Sequence, residues 1–556
     1  MIYWPALSLG EQPAQYDHST PDPFSKFLDD PDVQFVHLIE LESYDDALPM
    51  TVVGMPPIGM LSFGEFDFTT GGGITRVFLS DMGFTTKPND TRPNEHFKAL
   101  VNNPLQIDSS IMGSGEFGNG SISFGEVVIE NGDGELDRLV SYEWPGRKIT
   151  VKAGGADMAY ADFQTVFSGA VEDFENDDEK ITLTIRDNRI RTDQYLAAGT
   201  YKGTGGLDGG DSLAGQVKPL CFGRVFNAEL RLVDSANLVY QIHDGPVLSV
   251  DIVRDSGIPL TYAGDVPDIA SATPAGGTYV TQLSGGYVKL GTTPDGRVTA
   301  DAHGDSQGGY VSTAGDIIKR IVMTRIGAMP FEAGEIDDGA LARITAAAPG
   351  PMGIYFSDQA AVSDVIDEIV LPIGAYWNFD RLGLLSGGSV LAPSSASLQL
   401  TEDNIDEEGV SRLSTIPPAW RINVGYAPLG AVQGEDELAA GTPNDDREFL
   451  QSEYRFVTYE DSTIRTRNTK AQERTYLTRL ANKSDAEALL SRLQTLFMRT
   501  RTIYSAPAHN MLYRASHGLT VRLTLPRYGL EEGKDFLVVG VSEDAETAKT
   551  TLTLWG

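Results

Sequence analysis

A chain of 556 residues is too long for one hydrophobic core, because single cores stop growing near ~250 to 300 residues, so three or four domains are expected. Hydrophobic residues make up 41% and charged residues 22%, the balance of an ordinary globular chain, which excludes bulk disorder. The 78 acidic side chains outnumber 43 basic ones for a net charge of -35, and that charge repels a phosphate backbone and makes DNA a poor partner.

The first 23 residues, MIYWPALSLGEQPAQYDHSTPDP, lack the positively charged start and apolar core of a secretory signal. Tyr3 and Trp4, followed by Pro, Gln and Ser, read as an arm that orders only against a neighbour. No apolar run approaches the ~18 to 20 residues that cross a bilayer, so a soluble protein made in a cytoplasm is expected.

Short strand patterns follow. FVHLIEL (35–41) alternates weakly, SISFGEVVIE (121–130) reads as a half-buried strand, and ITLTI (181–185) alternates at the period of two that turns one face inward. The second of these stops at Asn131-Gly132-Asp133-Gly134, which predicts a hairpin turn. Asn131, Asp133, Glu135 and Asp137 superficially resemble a calcium loop, but a strand precedes them and the sixth-position Gly and twelfth-position Glu are missing. Asp173, Glu175, Asp177, Asp178 and Glu179 supply paired carboxylates of the kind glycosidic cleavage uses, yet five in one short loop read more simply as a solvated tip.

The stretch from 203 to 215 is Gly- and Asp-rich and reads as an exposed loop, as does GTPNDD (441–446). Cys221, the only cysteine, excludes an intramolecular disulfide, a CxxC zinc site and a cysteine-ligated cluster; between Leu220 and Phe222 it reads as a buried thiol rather than a nucleophile. A GxSxG match at 304–308 follows His303, but extended-looking sequence continues after it where a nucleophile elbow would turn into a helix. Neither HExxH nor GxxxxGK[ST] occurs.

Helical stripes begin after Thr313 (Ile317, Ile318, Ile321, Val322, Ile326) and after Ser363 (Val365, Ile366, Ile369, Val370). Tyr376, Trp377 and Phe379 read as a buried strand rather than an exposed recognition cluster. Ser484-Asp485-Ala486-Glu487 has capping-box spacing ahead of Leu489, Leu490, Leu493, Leu496 and Phe497. Arg492, Arg499 and Arg501 form a basic patch that reads as solvation.

Taken in order, SFGEVVIENGDGELDRL (123–139), WPGRKITVKAGG (144–155), FQTVFSGAVEDF (163–174) and ITLTIRDN (181–188) resemble the first barrel of phage tail hub proteins. KPLCFGRVFN (218–227), LVYQIHDG (238–245), YVTQLSGGYVKLGTTPDGRVTADAHG (279–304), SDAEALLSRL (484–493), LTLPRYGLEEGKDFLVVGV (523–541) and LTLWG (552–556) extend the likeness, the last group being similar to the C-terminal module of siphophage-type tail-tip and gene-transfer-agent tail proteins.

The resemblance implies a mainly β fold with small α/β insertions: an N-terminal arm at 1–32, a first hub β-barrel at 33–200, a β-rich insertion at 201–310, a small mixed α/β domain at 311–400, and a second hub barrel at 401–556 carrying one amphipathic helix near 484–498. It implies a non-enzymatic baseplate hub at the virion tail tip. There a homotrimer adapts the sixfold tail tube to a threefold tip, forms part of the DNA exit channel, and meets the distal tail protein, the tape measure protein and tail-tip or fibre proteins. No catalytic, metal or cofactor residue is expected, nor specific nucleic-acid binding or a transmembrane segment. The single cysteine departs from relatives that carry an iron-sulfur cluster. A receptor- or glycan-binding tail-tip protein is the alternative, and a depolymerase would need a cleft with paired carboxylates.

Overall fold

The computed structural model describes residues 23–28, 34–45, 73–113, 116–117, 124–327 and 329–556. The reading of the first 22 residues as an arm, with Tyr3 and Trp4, lies outside them. With 42% strand against 19% helix, the described chain is mainly β with small helical insertions.

The alternation in ITLTI becomes the strand Lys180–Arg186, whose Ile181, Leu183 and Ile185 are buried. It pairs on one side with Phe124–Glu130 and on the other with Gln164–Asn176. From there the sheet continues through Lys148–Gly154 and Val36–Asp45 to Gly73–Ser80 and the short strands His96–Ala99 and Phe84–Thr85. In the other direction, Phe124–Glu130 pairs with Val101–Ser110, and Val101–Ser110 pairs with Lys534–Asp544. That last pairing sets Ser110 opposite Gly540 and Gln106 opposite Asp544, and carries the sheet into Lys549–Trp555, Arg501–Ala508 and Ser411–Ile416.

Among the described residues the result is a 15-stranded sheet to which strands from the first and the last parts of the chain contribute. The expectation of two hub-type barrels is corrected in one respect: among the described residues the strand order runs from Ser411–Ile416 to Phe84–Thr85 without returning on itself, so no sheet is closed. Closure depends on register and shear, which no local pattern encodes. Two cores flank the large sheet. One contains Ile39, Val127, Trp144, Ile149 and Leu183; the other contains Leu400, Val521, Phe536 and Leu552.

Between these parts, two five-stranded sheets face each other across a shared core of Val225, Val253, Ala300, Tyr240, Tyr279 and Val288. A helical unit follows. The expected helices form as Ala314–Thr324 and Val362–Val370, and a third, Asp338–Ala347, joins them. They cover the hairpin of Ala375–Phe379 with Leu385–Ser389. Tyr376, Trp377 and Phe379 are buried in it, so the strand reading of these aromatics holds.

The amphipathic helix forms as Lys483–Phe497, burying Leu489, Leu490, Leu493, Leu496 and Phe497. Each fully buried side chain of this kind contributes about 2 kcal/mol of transfer free energy. Its start differs from the capping-box expectation. Asn482 is the N-cap and donates to the Asp485 carboxylate at 3.0 Å, while Ser484 lies inside the first turn. The GTPNDD segment, expected as a loop, starts the helix Asn444–Gln451 after Pro443. Asn and Asp favour turns and helix N-termini for the same reason, because their side chains satisfy nearby backbone N–H groups.

Candidate functional site

The Asn131 turn is closed by its own side chain. Its Oδ1 accepts from the Leu136 N–H at 2.8 Å and its Nδ2 donates to Asp137 at 2.9 Å. Gly134, at φ +72°, lets the backbone reverse. The chain then enters a short 3-10 turn, Asp137–Ser141, rather than a returning strand, and Phe124–Glu130 takes its partners from elsewhere in the sheet. The hairpin expectation is corrected to a turn leading into a helical corner. Glu135 is engaged by Lys98, so the oxygens of this loop point to protein partners.

Asp173, Glu175, Asp177, Asp178 and Glu179 are exposed at the tip of the hairpin formed by Gln164–Asn176 and Lys180–Arg186. Asp177 accepts from the N–H groups of Glu179 and Lys180 at 2.8 Å each, and these bonds hold its pKa below the usual carboxylate value. This is a solvated, turn-capping arrangement.

The GxSxG segment ends the strand Val298–Asp305 and turns at Ser306 and Gly309 well before the helix that begins at Ala314. His303 faces Asp251 at 3.1 Å rather than Ser306. Cys221 is fully buried, and burial pushes its thiol pKa up; its N–H donates to His243 Nδ1 at 2.9 Å. Among the described residues, no group of three or more His, Cys, Asp or Glu side chains is placed to hold a metal ion. No helix among them is long and apolar enough to cross a membrane.

The basic patch does not form. Arg492 donates to the carbonyls of Val390 at 3.0 Å, Gly374 and Ile373, and burial lowers its pKa to about 10. Arg501 donates to the Leu496 carbonyl at 3.1 Å and lies 4.4 Å over the Trp555 ring, while Arg499 is exposed. The solvation reading is thus corrected for Arg492 and Arg501, whose guanidinium groups satisfy backbone carbonyls that the fold leaves open.

Sequence reasoning missed a polar cluster at the joint where the two parts of the large sheet meet the helical unit. Glu543, 1% exposed on Lys534–Asp544, accepts from Arg381 at 2.5 and 2.8 Å and from the Tyr513 N–H at 2.9 Å. The Tyr513 hydroxyl meets His37 Nε2 at 2.9 Å, and His37 Nδ1 meets Asp81 at 2.7 Å. Tyr513 sits at φ +64°, a strained conformation for a bulky residue. Its neighbour Leu512 packs with it into the core of Ile39 and Trp144. Burial and the nearby Glu543 charge raise the Tyr513 pKa, so its hydroxyl stays protonated. The joined residues are 476 positions apart for His37 and Tyr513, and no local sequence signal marks them.

No family model matches the chain, and no curated protein matches it. Among solved structures, it is similar to a tail protein from Neisseria meningitidis at 10% identity over 82% of this chain and 95% of that one, with a TM-score of 0.34. A prophage tail protein from Listeria monocytogenes matches at 9% identity over 85% and 93%, with a TM-score of 0.34. A chain in the virion of a native gene transfer agent particle matches at 14% identity over 61% and 84%, with a TM-score of 0.35. None of these scores reaches 0.5, and the architecture stands on its own strand pairing.

Proposed function

We propose that the chain is a structural, non-enzymatic protein of a tailed-phage tail tip, a trimeric baseplate hub that adapts a sixfold tube to a threefold tip and lines part of the DNA exit channel. The sequence likeness to hub proteins motivates this reading. The observation that carries it is the pairing of Val101–Ser110 with Lys534–Asp544, which brings the two segments that resemble hub modules into one sheet. We propose the domain limits at 32, 200, 310 and 400 on the same basis.

In a closed ring each contact between copies is used repeatedly, so modest surfaces suffice for assembly. Distal tail, tape measure and tail-tip or fibre proteins are the partners this reading expects. If the acidic charge faces the channel, it keeps passing DNA from adhering. The aromatic cluster that a glycan-binding alternative would use, Tyr376 with Trp377 and Phe379, is buried, so it offers no support to that alternative.

Electron cryo-microscopy of assembled particles tests the proposal. Three copies around the tail axis are expected; a peripheral position, or any other copy number on the axis, would overturn it.

A further inference from the structure

The segment from Asn510 to Gly518 ties together parts of the molecule that the sequence keeps far apart. Leu512 and Tyr513 insert into the core of the first half of the large sheet. Met511 and Ala515 belong to the core of the second half. The helical unit grips the segment from the side, with Arg381 donating to the Ala515 carbonyl at 3.0 Å and the Tyr376 hydroxyl donating to the His517 carbonyl at 3.4 Å. Arg514 donates to the carbonyl of Leu28. Asn510, Tyr513 and Gly518 all have positive φ, so the segment is held in a conformation that a free chain of these residues rarely visits.

Two histidines, one packed on this segment and one within it, differ in their ring contacts. His37 faces an oxygen at each ring nitrogen, the Asp81 carboxylate and the Tyr513 hydroxyl. His517 does not. Its Nε2 meets Ser109 Oγ at 3.2 Å, but its Nδ1 meets the Asn378 amide nitrogen at 3.4 Å. That amide is oriented by a second donation, to the Phe379 carbonyl at 3.2 Å, so Nδ1 must be an acceptor. A proton on Nδ1 would set one donor against another. The charged groups near the segment include Arg381 on the turn after Ala375–Phe379, Glu543 and Asp544 on Lys534–Asp544, and Asp81 with His37; strand Val101–Ser110 presents the uncharged Ser109, whose backbone bond to His517 favours a charged ring but is outweighed by burial. Arg381 adds its positive charge against an imidazolium.

We propose that residues 510–518 form an acid-released clasp, which holds the two sheet halves and the helical unit together while His517 is neutral and lets go when its ring takes up a second proton. Burial, above all, draws the His517 pKa down to about 4 from an ordinary 6.5. A lowered histidine pKa stabilises the closed form fully above 6.5, and that stabilisation is lost as pH falls from 6.5 toward 4. Opening of the clasp therefore becomes about tenfold more favourable per pH unit across this window.

Hydrogen exchange on the full-length chain, resolved by peptide and corrected for the intrinsic pH dependence of exchange, reads this directly. Between pH 7 and pH 4.5, the opening equilibrium for 510–518 should rise about tenfold per unit below 6.5, while the strand Lys180–Arg186 stays protected. Asn378→Asp replaces the opposing donor by an acceptor for the Nδ1 proton and should abolish the slope, whatever it does to overall stability. His517→Asn removes the titrating ring and should abolish it as well. A pH-independent 510–518 segment in the wild type, a slope shared equally by Lys180–Arg186, or a slope unchanged in both variants would overturn the proposal.

Discussion

Arg381 and Glu543, 162 positions apart, meet through two N–H···O contacts of 2.5 and 2.8 Å, and the carboxylate also caps the Tyr513 N–H. Removing the arginine leaves a carboxylate that is 1% exposed without its cation. Arg381→Ala should cost about 3 kcal/mol, the lower end for a broken buried pair because Arg381 itself keeps some contact with water. Arg381→Met combined with Glu543→Leu should cost less than the single change. Urea unfolding of the three chains checks this; a single-variant loss below about 1 kcal/mol would show that the pair matters little.

Arg492 ties the short helical turn Leu371–Ile373 and Gly374 to the residue after the strand Leu385–Ser389 by donating to Ile373, Gly374 and Val390. Arg492→Met strands these carbonyls at a cost of about 1 to 3 kcal/mol. Arg492→Lys should recover only part of that, because an ammonium lacks the planar fork of donors. Thermal melting of both variants supplies the ranking, and equal melting temperatures for Lys and Met would count against the fork.

Cys221 should resist thiol reagents in the folded protein, since burial both blocks access and disfavours the thiolate. Complete labelling in guanidinium with almost none in buffer is the expected contrast. Fast labelling under native conditions would mean that the strand Leu220–Glu229 opens readily.

His243 is fully buried, and burial lowers its pKa; its Nδ1 is occupied by the Cys221 N–H. With the folded pKa below the unfolded value of 6.5, the neutral ring contributes its full stability above pH 6.5. That contribution declines as pH falls, by up to about 1.4 kcal/mol per unit until the folded pKa is reached. His243→Gln, whose carbonyl can still accept from Cys221, should flatten the fall. Denaturant midpoints at pH 7, 6, 5 and 4.5 provide the comparison, and parallel curves would reject it.

What the sequence revealed was local. Ile181, Leu183 and Ile185 declare a strand because a half-buried strand repeats every two residues, and Ile317, Ile321, Ile366 and Ile369 declare helices because a helix face repeats near every four. Asp338–Ala347 gives a weak sequence signal because it buries alanines as well as Leu341 and Ile344, a stripe with little contrast. Asn444–Gln451 reads as a loop in sequence because Pro, Asn and Asp start helices as readily as they make turns. The joint was illegible for a different reason. Asp81, Tyr513, Arg381 and Glu543 gain meaning only from side-chain contacts between turns and strands far apart in the chain, which no local pattern marks.

The pairing of Ser110 with Gly540 also sets a schedule for synthesis. At roughly 5 to 20 residues per second, the 430 residues that separate them (540 minus 110) take on the order of 20 to 90 seconds to leave the ribosome. Throughout that interval Val101–Ser110 has Phe124–Glu130 on one side and a bare row of backbone donors and acceptors on the other. The nascent chain must keep that edge from pairing with another copy until its own last strands arrive.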